Sequence, residues 1–167
     1  SATPGSLQFG EWHHDWRFTP RTPYHPAVRD YRRPAAAGEP ALDILELPTL
    51  ARRLGLPAHL ARFAVRGARA LKNRGPIDWD SARTQGVMLT QDPGWFTDAV
   101  RQTLQEASMG GRVFLNTYFH TTELILPERL ANFVRNVDYV RAIAGERGSK
   151  LRPLTLMQAF EHANADG

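Results

Sequence analysis

His120 and Glu123 are the pair in this sequence whose types and spacing best suit chemistry. They close the run Arg-Val-Phe-Leu-Asn-Thr-Tyr-Phe-His-Thr-Thr-Glu-Leu-Ile-Leu, Arg112 to Leu126. Its β-branched and aromatic part, Val113 to Phe119, reads as a buried strand that stops at the histidine. In α/β architectures, groups just outside the carboxyl ends of strands are where reactions take place. An imidazole held by a carboxylate suits general acid or base work near neutral pH. The two side chains would equally serve as two ligands of a metal, although a third has no local source. The plainer reading has Glu123 capping a turn and His120 bonded to backbone.

The second constellation is Trp12-His13-His14-Asp15-Trp16. Neighbours on a strand face opposite ways, so His13 and His14 would share a metal only on an irregular loop. Trp12 and Trp16, with His13 between them, suit a stacking platform for sugar rings, apolar faces rimmed by hydrogen-bonding groups. The bland alternative is that these rings fill a core beneath a long loop. No Gly-x-Gly-x-x-Gly, phosphate loop, Gly-x-Ser-x-Gly or His-Glu-x-x-His occurs, which disfavours dinucleotide enzymes, loop-type phosphatases and serine hydrolases.

The elements that must position these residues follow from period and punctuation. Eight of the 12 prolines lie at or before Pro57, and the first forty residues interleave aromatic and polar groups without a period. Residues 1–40 therefore read as an ordered, irregular excursion, too aromatic to be disordered. Ala41 to Leu47 reads as a short strand and Leu60 to Arg74 as a helix. That helix has Leu60, Phe63, Ala64, Gly67, Ala68 and Leu71 on its inner side. A strand at Val87 to Leu89 comes next. A second helix is opened by Asp92 as N-cap with Pro93 in its first turn, and Phe96, Ala99, Val100, Leu104 and Ala107 are its stripe. Pro127 starts a longer helix with Leu130, Phe133, Val134, Val137 and Val140 inward. A strand near Leu154 to Leu156 and a helix from Met157 end the chain. Alternating strands and helices predict an α/β fold, a partial or distorted (β/α) barrel-like parallel sheet, because about four strands cannot close a barrel of eight.

The 167 residues suit one domain, residues 1–167, or the C-terminal half of a larger barrel. The net charge of +4 is scattered: only Lys72 and Lys150 among 21 basic residues are lysine, and the arginines form no single basic run. Nucleic acid is thus not an expected partner. There is no cysteine, which removes disulfides and thiolate chemistry. No apolar stretch nears the roughly 20 residues of a membrane span, and no leader pattern opens the chain. A soluble, cytoplasmic setting without membrane contact is the expectation. The chain also starts at Ser1 without an initiator Met, as at a processing site or an internal point of a longer protein.

The order strand, Phe119-His120-Thr121-Thr122-Glu123-Leu124, Pro127, long helix, Pro153-Leu154-Thr155-Leu156, terminal helix resembles the C-terminal part of polysaccharide deacetylase-like proteins, the NodB homology group. Ser1 to Gly5, Tyr24-His25-Pro26 and the Leu42 to Leu47 strand resemble the segments leading into it. The resemblance implies removal of an acetyl group from a polysaccharide or glycan substrate. It also implies a divalent metal, commonly zinc, held by one Asp and two His, an Asp base, and a late histidine that protonates the leaving amine. His120 matches that histidine. The family's Asp-Asp pair and His-x-x-x-His motif are not in this sequence, so no cofactor is expected on this chain alone and zinc only with a missing N-terminal half. The alternative is a non-catalytic glycan- or protein-binding α/β domain that grips its ligand through the early aromatics.

Overall fold

Proline placement decides where this chain can pair. The computed structural model describes residues 7–8, 14–15, 19–73, 84–107 and 112–164. Their extended segments make three two-stranded antiparallel sheets. These are β1 (Leu7–Gln8) with β2 (His14–Asp15), β3 (Pro26–Ala27) with β4 (Asp30–Pro34), and β5 (Ala51–Arg53) with β6 (Thr84–Gly86). The helices are α1 (Leu56–Asn73), α2 (Pro93–Glu106), α3 (Pro127–Glu146) and α4 (Leu156–Asn164). A 3-10 turn, Thr121–Ile125, precedes α3. The β3–β4 hairpin lies within the stretch expected to be irregular. Its Arg33 guanidinium grips Glu39 through two 2.6 Å bonds and holds that carboxyl down to about 2.

The barrel-like parallel sheet expected from the strand–helix alternation is not what forms. Among the described residues the one parallel pairing is an isolated bridge, Thr49 to Asn116. The predicted strand at Ala41 to Leu47 contributes isolated bridges at Ala41 and Glu46, and Leu154 to Thr155 is not a strand. The physical reason is visible at the seam. Pro48 has no N–H to give, and two side chains stand in for ladder bonds. Asn116 Nδ2 donates to the Leu47 carbonyl at 2.6 Å, and Thr117 Oγ1 donates to the Val87 carbonyl at 3.3 Å. Backbone bonds complete a three-way junction, Leu50 N to Asn116 O, Val87 N to Leu50 O and Leu89 N to Tyr118 O.

Over this junction lies the core of Leu50, Val87, Phe96, Ala99 and Val100, flanked by Leu89, Leu104, Leu115, Tyr139, Val140 and Ile143. Helix α2 starts as its sequence dictates, with Asp92 Oδ1 accepting from the Trp95 N–H. It docks on β5 through Gln102, whose amide accepts from Arg53 N at 2.6 Å and donates to Arg53 O at 3.1 Å, like one more strand residue. Just beyond the end of helix α3 the chain turns at Gly148, with φ +61, as Ser149 N bonds Ala144 O and Gly148 N bonds Gly145 O. That left-handed closure favours glycine.

Two helices sit differently from their apolar stripes. On α1, His59 is buried and Arg62, Phe63 and Arg66 are half-buried, while Leu56, Leu60, Ala64, Val65, Ala68 and Leu71 are exposed. On α3, Asn132 and Asn136 are the buried residues; of the expected stripe, Phe133, Val137 and Val140 are half-buried while Leu130 and Val134 are exposed. Arg62 shows what the first orientation entails. Burial pushes its guanidinium down to about 10, and the like charges of Arg66 and Arg52 add to the effect.

Replacing Phe96, which is fully buried, by Ala is expected to destabilise the fold by about 3–5 kcal/mol. Leu71→Ser, at a side chain 76% exposed, is expected to change stability by less than about 0.5 kcal/mol. Urea denaturation checks both, and equal losses would contradict the placement of the core.

Candidate functional site

His120 ends the extended segment 112–119 and caps the 3-10 turn Thr121–Ile125 with extended backbone, φ −90 and ψ 128. Its side chain is exposed, and its ring meets that of Tyr118 edge-on, with centroids 6.0 Å apart. The segment behind it is anchored by Leu89 N on Tyr118 O and by the Phe119–Phe133 ring contact at 5.2 Å. An exposed imidazole thus stands on fixed backbone.

Glu123 provides that fixity. Its Oε2 accepts from the Thr90 hydroxyl at 2.6 Å and from the His120 backbone N–H at 3.4 Å, while its own N–H bonds the His120 carbonyl at 2.9 Å. The Thr90 hydroxyl above all holds the Glu123 carboxyl below its ordinary value. Burial opposes this, and the His120 N–H and the charges of Arg129 and His120 reinforce it. The turn-capping role foreseen for Glu123 is therefore present, and the carboxylate acts on His120 through its backbone.

Behind these two residues is a support that the sequence did not announce. Thr90 is fully buried, and its carbonyl accepts from Arg129 at 3.3 Å. Asn136, also fully buried, donates to the carbonyls of Leu89 and Gln91 at 2.8 and 3.0 Å. The loop carrying Thr90 is thereby tied to α3. Arg129, Asn132 and Asn136 share one side of α3 by their spacing of three and four, a polar row whose inward facing the sequence alone did not show.

Trp12, His13 and Trp16 lie outside the described residues. Among the described residues no three His, Asp or Glu side chains come together as a metal-holding group. A cleft of about 430 Å³ opens elsewhere, between Arg21–His25, the end of α2 and Arg112–Phe114. His120 does not line it. No helix among the described residues is long and apolar enough to cross a membrane. No family model matches this chain, and no curated protein or solved structure matches it either.

Because the folded Glu123 carboxyl lies below its unfolded value of 4.5, it stabilises the fold above that pH and loses the contribution as pH falls through the folded value. Thr90→Val removes the chief donor and is expected to cost about 1–2 kcal/mol at pH 7. It should also flatten the loss of stability as pH falls from about 4.5 through the lower folded value. Urea denaturation across this range checks it, and superimposable wild-type and variant curves would contradict the role of Thr90.

Proposed function

We propose that this chain is the acid-bearing portion of a carbohydrate deacetylase-like hydrolase, with His120 as its general acid. The observation that carries the reading is an exposed imidazole held on a locked backbone, its turn cap tied through Thr90 to the core. A proton donor must stay at one place relative to the bond that breaks. In the protonated state His120 gives its ring proton to the sugar nitrogen as the C–N bond to the acetyl carbon cleaves, so the amine leaves neutral. Glu123 holds the turn from which the ring projects, and the nearby ring of Tyr118 borders the place of the leaving group. Trp12, His13 and Trp16 are the proposed sugar contacts on the strength of their sequence pattern alone.

Water activation falls to a polypeptide besides these residues. The sequence resemblance supports that division of labour, and so do the exposed apolar rows of α1 and of the turn leading into α3. Ile125 is 80% exposed, and Leu126, Leu130 and Val134 continue its row at helical spacing. Contiguous apolar surface of this kind suits packing against more protein. The inward arginines of α1 fit the same view, since its apolar side is left for another surface. The second reading, glycan binding without catalysis, is favoured by the cleft at Arg21–His25.

The test is acetate release from N-acetylated chito-oligosaccharide by the whole protein. His120→Ala is expected to lower kcat by about 10²–10⁴-fold with little change in KM. An unchanged kcat would contradict the acid role, and oligosaccharide binding without any acetate release would favour the second reading.

A further inference from the structure

The cleft at the end of α2 is built around a cation with too little countercharge. Arg21, between Pro20 and Pro23, has its side chain only 11% exposed, and its Nε sits 3.2 Å from Glu106 Oε2. Arg53 claims the other oxygen of the same carboxylate at 3.6 Å. One glutamate thus serves two guanidiniums. The Arg21 Nη1 is fully buried and has no hydrogen-bond partner. A buried unpaired donor is costly, more so on a charged group. Burial lowers the Arg21 pKa from its ordinary value, Glu106 counters this, and Arg53 adds to the lowering.

The remaining walls state what kind of molecule fits. Tyr24 and Phe114, with Pro23 and Leu45, give apolar faces, while Thr22 and His25 bring polar groups to the lining and Arg112 a second cation. Tyr24 is held in place, since its hydroxyl donates to the Tyr31 carbonyl at 3.0 Å. A volume of about 430 Å³ is within the range of small-ligand pockets. A planar guanidinium with unused N–H groups suits a carboxylate. A sugar ring supplies both the C–H face for the aromatic wall and the hydroxyls for the polar groups.

We propose that this cleft binds an acidic sugar, a hexuronate, whose carboxylate is received by Arg21 and whose ring lies against Tyr24 and Phe114. The site is separate from His120 and does not rest on the deacetylase reading. Glu106 competes with the ligand for Arg21, so it sets the affinity from within the protein.

Isothermal titration of the chain with glucuronate, glucose and inorganic phosphate tests this. Glucuronate is expected to bind one-to-one and at least tenfold tighter than either glucose or phosphate. Arg21→Gln is expected to weaken glucuronate at least tenfold, and Glu106→Gln to tighten it severalfold. The second variant keeps the test decisive should the first fail to fold. Glucuronate binding no tighter than glucose, phosphate binding as tight as glucuronate, or wild-type affinity in Glu106→Gln would each overturn the proposal.

Discussion

Three extended segments that share one set of backbone hydrogen bonds hold this molecule together. Leu50 donates to Asn116, Val87 to Leu50, and Leu89 to Tyr118. Each segment therefore satisfies part of the next, and the regular ladder next to the junction is the short β5–β6 pair. Buried backbone groups must find partners, and here the side chains of Asn116 and Thr117 supply what the ladder does not. Phe96, Ala99 and Val100 of α2 then cover the junction on one side. The position of His120 is a consequence, because its segment leaves the junction directly from Tyr118.

Polar contacts carry this order outward from the apolar core. Asn136 ties the loop at Leu89–Gln91 to α3, Thr90 on that loop binds Glu123, and Glu123 closes the turn that His120 begins. A chain of satisfied polar groups specifies one geometry more sharply than apolar packing does. The arginine-rich character of the protein has the opposite effect elsewhere. Arg62 and Arg21 are drawn into the body of the protein with incomplete compensation, and each has a buried Nη1 without a partner. These are the places where the fold stores unfavourable charge.

Much of the local structure was legible from residues. Asp92-Pro93 marked the start of α2, and its stripe of Phe96, Ala99 and Val100 is buried as the period implied. Pro127 likewise begins α3. Long-range pairing was less legible. Apolar runs at Val87–Leu89 and Val113–Phe119 read as strands of a parallel sheet, yet they bond through scattered backbone and side-chain contacts. Periodicity reports local shape and not the neighbour a segment will choose. The facing of α1 was misread for a related reason: its apolar stripe names the side that prefers contact, and the side that finds it carries His59, Arg62 and Arg66. His120 and Glu123 stood out by type and spacing, and the structure brings them together in one turn. Thr90, Arg129 and Asn136 come from distant segments, so their part depended on the fold.

Amide hydrogen exchange tests the central claim most directly, since it ranks the opening of each hydrogen bond on one scale. The account predicts that the amides of Leu50, Val87 and Leu89 exchange slowest, at the rate of global unfolding, with the Glu123 amide protected above its neighbours in the turn. Exchange of those three amides as fast as those of the β3–β4 hairpin would contradict it, because His120 would then stand on a segment with nothing firm behind it.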